Sequence, residues 1–159
     1  SCCFVPEKRE EITTEGGLNL KKNLKHFKSS VGLLQKEGIR VSLFIDPEIQ
    51  NIDLAQEVGA DAIEIHTGPY CNAIHSVDIE KEIKKIEICS IEAKKLGLDV
   101  HAGHGLNFEN VALIASIPEV SELSIGHFII GNSIFIGLQE TIFTMREIID
   151  CARKSIIKQ

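Results

Sequence analysis

Apolar positions along the chain follow two alternating periods. Short runs rich in Val, Ile and Phe, namely "CCFV", "RVSLFID", "AIEIHTG", "LDVHAGHG" and "ELSIGH", read as strands. Longer segments between them repeat their apolar residues at spacings of three and four. In "NLKKNLKHFKSSVGLLQKEG" the face is Leu20, Leu24, Phe27 and Val31, and Gly38 stops the helix. "PEIQNIDLAQEVGA" is a second helix, with Pro47 in its first turn and Gly59 at its end. A loop then leads to a long helix within Val77 to Leu96, whose stripe is Ile79, Ile83, Ile86 and Ala93. "NFENVALIASI" is the fourth helix, and a last one runs from about Gly137 to Lys154.

The order is therefore strand and helix in strict alternation, with strands apolar almost throughout. That pattern predicts an α/β fold in which helices cover a parallel sheet. Two architectures satisfy it: a doubly wound open sheet, or part of a (β/α)8 TIM barrel. Both place their chemistry at the carboxyl ends of the strands. Neither low-complexity sequence nor a linker interrupts residues 1–159, which read as a single domain.

Composition narrows the partners. The net charge of −6 is spread through the chain without basic blocks, which argues against nucleic acid. Runs such as "FII" and "SIFIGL" fall far short of the ~20 apolar residues of a membrane span. "SCCFVPEKRE" has none of the parts of a signal peptide, so a cytoplasmic location is expected. Cys2, Cys3, Cys71, Cys89 and Cys151 contain no C-x-x-C pair and read as small buried hydrophobes in a reducing compartment. The chain opens with Ser in the middle of an apolar strand, so further chain upstream is expected.

The strand reading brings histidines together. His66 ends the third strand, His101 and His104 the fourth, and His127 the fifth, which puts four of the six on one rim. His26 and His75 fall on a helix and in a loop, where exposure is expected. His104, between two glycines beyond the strand, is the stronger functional candidate, and His101 the weaker. An ordinary structural role would have one imidazole cap the next helix and the other pack. Glu64 stands between isoleucines in a core strand, where a carboxylate is costly without a partner. It is either half of a buried ion pair or an active-site carboxylate. Gly126 and Gly131 allow close approach of backbone to a ligand, next to a helix start suited to phosphate; close packing by glycine is the alternative. G-x-G-x-x-G, P-loop, H-x-H and H-E-x-x-H patterns are absent, so neither dinucleotide nor ATP is supported and a metal is not favoured.

"FVPEKREEITTEGGLNL", "VSLFIDP", "EVGADAIEIHTGPY", "AGHGLNFENV" and "IPEVSELSIGH" closely resemble the pyridoxine 5′-phosphate synthase family of vitamin B6 biosynthesis, in order and along the whole chain. The resemblance implies a TIM barrel with extra helices, assembled as an octamer built from dimers. It implies condensation of 1-deoxy-D-xylulose 5-phosphate with 3-amino-2-oxopropyl phosphate to pyridoxine 5′-phosphate, phosphate and water, with no organic cofactor. By the same resemblance Thr13 contacts the deoxyxylulose phosphate, Glu64 stabilises the transition state and His104 donates a proton. Gly105, Gly126 and His127 would bind the aminoketone phosphate.

His101 and Ser124 stand where the family more often has Asn, and both keep hydrogen-bonding ability. The family's first three strands, with a further catalytic histidine and glutamate, do not lie in this sequence. The five strands would thus be the fourth to eighth of the barrel, and residues 1–159 alone are expected to be inactive. Alternative readings are another phosphate-handling barrel enzyme, an isomerase or aldolase, and a non-catalytic phosphate-binding fragment. A Schiff-base aldolase would need a lysine near the rim of a core strand, and none is evident.

Overall fold

A computed structural model of the chain describes residues 1–6 and 16–156. The first strand, β1 (Cys2–Phe4), is followed by a short 3-10 turn (Leu20–Asn23) that runs into α1 (Leu24–Lys36). Then come β2 (Val41–Ile45), α2 (Ile49–Val58), β3 (Ala62–His66), α3 (Gly68–Asn72) and α4 (Ser76–Lys95). The chain closes with β4 (Asp99–Gly103), α5 (Val111–Ala115), β5 (Val120–Ser124), α6 (His127–Ile136) and α7 (Leu138–Ile156).

All five strands are parallel and lie in one sheet in the order β1-β2-β3-β4-β5. Each new strand is laid on the same side of the last. A doubly wound sheet must reverse its order at a switch point, and this one does not. Five parallel strands added in one direction are consistent with a stretch of (β/α) barrel, and the sheet here is open.

Register sorts the strand residues onto two faces. Leu43, Ile45, Ile63, Ile65, Val100 and Ala102 share one face and are completely buried against helix residues such as Val31, Ile52, Ile86 and Ile114. Each such Leu, Ile or Val side chain contributes ~1.5–3 kcal/mol of transfer free energy, so this face is the main source of cohesion. The other face carries Cys3, Ser42, Phe44, Ala62, Glu64 and His101 in cross-strand register. A bulge between Val100 and His101 brings Glu122 opposite His101 and Ser124 opposite Gly103. The polar residues of the strands are thus gathered on the face turned away from the helical layer.

Four local expectations are corrected. Pro47 lies ahead of the N-cap Glu48 rather than inside the helix. The stretch after β3, read as loop, contains the helical turn α3, with Pro69 near its start. The strand expected over "ELSIGH" ends early: β5 stops at Ser124, and His127, expected at the strand end, already opens α6. That helix is apolar on every side, so periodicity carried no signal for it; Gly137, at φ +87°, separates it from α7. Finally, only Cys89 is buried among the five free cysteines, while Cys3 and Cys151 are exposed. Among the described residues no helix is long and apolar enough to cross a membrane.

Candidate active site

The carboxyl ends of β2, β3 and β4 meet in a cluster of rings and carboxylates. His66, the last residue of β3, is almost fully buried, and its Nδ1 lies 2.9 Å from Asp46 Oδ1. That same oxygen accepts the Gly17 N–H at 3.0 Å. Asp46 is consequently held below the ordinary carboxylate range, first by the His66 hydrogen bond and also by the Gly17 amide. A Cβ on Gly17 would fall 2.3 Å from the Asp46 nitrogen, so only glycine lets the two backbones come so close.

His104 follows β4 directly and has φ +83°, a left-handed conformation costly for a residue with a side chain. Thr67 holds it there. The completely buried Thr67 hydroxyl lies 2.7 Å from the Gly103 carbonyl and 2.6 Å from the His104 carbonyl, sharing its proton between them. The His104 ring stands edge-on to His66, centroids 5.0 Å apart, and Phe44 borders both imidazoles. Gly68 makes room for this pair, since a Cβ there would lie 2.4 Å from His66 Nε2 and 3.1 Å from a His104 ring carbon.

Glu64 projects from the polar face of β3. A Cβ on Gly103 would sit 2.5 Å from Glu64 Oε1, so the missing side chain at Gly103 is the space the carboxylate uses. Ser124 and the Cys3 thiol are its hydrogen-bond partners, and no lysine or arginine pairs with it among the described residues. Burial pushes its carboxyl above the ordinary range, against the opposing pull of Ser124 and the neighbouring His101. His101 is Glu64's cross-strand neighbour, and its Nε2 lies 3.9 Å from Glu122 Oε2.

The structure brings Glu64, His66 and His104 together around Gly103; His101 sits lower, at the middle of β4. Gly105 has φ +83°, and a Cβ there would come 2.8 Å from that of Cys71, so glycine is required on both counts. Gly126 and His127 are exposed at the start of α6. Among the described residues, a Cβ on Gly126 or Gly131 would meet nothing within 4 Å. Phe108 and Phe128 stack edge-to-face at 4.7 Å and so tie the loop after β4 to the beginning of α6. Thr13 lies outside the described residues. Among the described residues, no group of three or more His, Cys, Asp or Glu is arranged to hold a metal ion.

Asp46, Thr67, Gly68 and Gly103 escaped the sequence reading. The first ends "RVSLFID", where it reads as the last residue of a strand before proline. Thr67 and the glycines act through neighbours distant in sequence, which no local pattern reveals.

Comparison with known proteins extends this picture. The family model described as "Pyridoxal phosphate biosynthesis protein PdxJ" matches residues 1–151. A pyridoxine 5′-phosphate synthase of Sulfurihydrogenibium sp. (strain YO3AOP1) is 53 % identical over 151 residues, covering 95 % of this chain and 62 % of that protein. The enzyme of the same name from Rhodospirillum rubrum is 44 % identical over 152 residues, covering 96 % and 61 %. The chain thus spans roughly three-fifths of the length of these relatives. Among solved structures, a chain of the Amycolatopsis orientalis BexX/CysO complex superposes with a TM-score of 0.64 at 14 % identity, over 93 % of this chain and 55 % of that one. At that identity the likeness concerns the fold alone. A family match from Ser1 to Cys151, together with relatives near half identity across almost the whole chain, establishes that the chain belongs to the PdxJ family of pyridoxal phosphate biosynthesis proteins.

Proposed function

We propose that this chain carries part of the active site of a pyridoxine 5′-phosphate synthase. The enzyme would condense 1-deoxy-D-xylulose 5-phosphate with 3-amino-2-oxopropyl phosphate, closing the pyridine ring and releasing phosphate and water. The observation that supports it most is the pairing around Gly103: a half-buried carboxylate fills the space of the missing side chain, and the next residue is a histidine anchored at positive φ. Strain held by surrounding hydrogen bonds is a feature of functional positions.

Ring closure requires oxygens to leave as water or phosphate, and each needs a proton. An imidazole is suited to that transfer near neutral pH, and His104 is the proposed donor. Glu64 would stabilise the positive charge that develops as amine and carbonyl condense, from a site where few counter-charges compete. Gly105, Gly126 and His127 would cradle the aminoketone phosphate, an arrangement favoured by the Phe108–Phe128 link between their segments. Thr13 would contact the second phosphate. The five strands correspond in this reading to the fourth to eighth of a (β/α)8 barrel, residues 1–159 forming one partial domain of a cytoplasmic homo-oligomer, an octamer by family resemblance.

The test joins this chain behind the amino-terminal segment of the Sulfurihydrogenibium relative and assays product formation from the two phosphorylated substrates. The joined protein should be active, residues 1–159 alone inactive, and His104→Ala should lower turnover by roughly a hundredfold or more. Turnover near normal in a folded His104→Ala variant would remove the proton-donor assignment.

A further inference from the structure

Asp46 and His66 have no part in the chemistry described above, yet they form a close, part-buried polar contact at the rim. An almost fully buried imidazole would not be matched to a carboxylate at 2.9 Å for packing alone, because an apolar ring of similar size fills such a site without desolvating a polar group. The contact fixes two things. It selects the tautomer of His66 with its proton on Nδ1, since an ionised carboxylate only accepts. It also fixes the plane of the ring, whose edge meets His104 at 5.0 Å and 69°.

Asp46 is itself braced. The Gly17 amide donates to its Oδ1, and the Asn51 side-chain amide donates to its backbone carbonyl at 3.2 Å. The carboxylate is therefore a fixed point against which the His66 ring is oriented. Gly68 stands on the other side of that ring, where a side chain would collide with Nε2. Asp46, His66 and His104 form a continuous line across the ends of β2, β3 and β4, with Phe44 beside both rings.

We infer that Asp46 and His66 are positioning residues for His104: the carboxylate holds the His66 ring, and that ring sets the direction in which His104 presents its own. The importance of this line for turnover rests on the function proposed above; the geometric coupling does not. Thr67 fixes the His104 backbone, whereas the Asp46–His66 pair restrains the side chain, so the two supports are separate.

Two measurements test the inference and separate its failure from that of the function. The first uses residues 1–159 and imidazole 1H–15N spectra. His66 should show a proton on Nδ1 hydrogen-bonded to the carboxylate, and Asp46→Ala should abolish that bond and displace the His104 ring resonances. Asp46→Asn keeps an acceptor oxygen and should leave both close to the parent. A His66 protonated on Nε2 alone, or His104 resonances unmoved by Asp46→Ala in a protein with unchanged backbone spectra, would overturn the inference.

The second uses the joined enzyme of the preceding subsection. Asp46→Ala and His66→Phe should each lower kcat by about ten- to a hundredfold, in the range expected for small misplacements of a reacting group, with KM within about twofold. Asp46→Asn should recover most of the loss. The double variant Asp46→Ala/His66→Phe should be no slower than the worse single one, because both remove the same support. Multiplying losses, or a rise in KM in place of the fall in kcat, would overturn the positioning role. An inactive parent enzyme would refute the proposed function while leaving the spectroscopic result to decide the coupling.

Discussion

Thr67→Val removes one oxygen from the interior and tests how the left-handed turn at His104 is held. The valine methyl occupies nearly the same volume, so packing is largely kept and the loss is the hydroxyl's hydrogen bonding. The Gly103 carbonyl retains the Thr67 amide at 2.9 Å, and the His104 carbonyl retains the weak Cys71 thiol at 3.5 Å. A net hydrogen bond is worth ~1 kcal/mol and weakening the hydrogen bonding of a second, part-buried acceptor costs about 1 kcal/mol more, so the variant should lose about 2 kcal/mol. With a urea slope of about 2 kcal/mol/M the midpoint should fall by ~1 M. Chemical denaturation of the two proteins, followed by far-UV circular dichroism, reads this directly. Thr67→Ser, which keeps the hydroxyl and loses a methyl, should fall by less. A valine variant within ~0.2 M of the parent, against a slope of that size, would refute the hydroxyl as the anchor of His104.

His104→Gly should be more stable than His104→Ala by roughly 0.5–1 kcal/mol, because both lose the ring but only alanine strains at positive φ; parallel urea melts decide it, and in the joined enzyme both should lower turnover by roughly a hundredfold or more. Glu64, whose carboxyl is raised in the folded protein by burial, contributes stability that is present below the ordinary carboxylate range and disappears as pH rises through its raised value. The stability of Glu64→Gln relative to the parent should therefore improve between acid and neutral pH, and a constant difference would contradict this sign. Asp46 is shifted the other way by His66, so its contribution is present above the ordinary carboxylate range and is lost as pH falls through its lowered value. Asp46→Asn should accordingly flatten the acid limb of the stability profile, measured by urea midpoints from pH 5 downwards.

Much of the fold was written in local pattern. Strand runs such as "VSLFI" and "AIEIH" needed only their apolar content and flanking turn residues, and both form strands at those places. The stripe of α1 and the ends of α4 followed from spacing, because one helical face must meet the sheet. Glu64 and His104 stood out for a related reason: a carboxylate between isoleucines and an imidazole between glycines are each poor choices for packing.

What the sequence by itself could not decide was order and proximity. Alternating strands and helices are equally compatible with a doubly wound sheet and with barrel winding, since the distinction lies in which side each strand is added, a long-range property. Faces were likewise undetermined at β5, where a one-residue bulge sets which of Glu122 and Ser124 come opposite His101 and Gly103. α6, apolar all round, offered no periodicity to read. The site's supports are tertiary by nature. Asp46 meets His66 across 20 positions and Thr67 reaches His104 across 37, contacts that exist only because parallel pairing aligns the ends of β2, β3 and β4. Local chemistry marks where a side chain is out of place; only the assembled sheet shows what it was placed against.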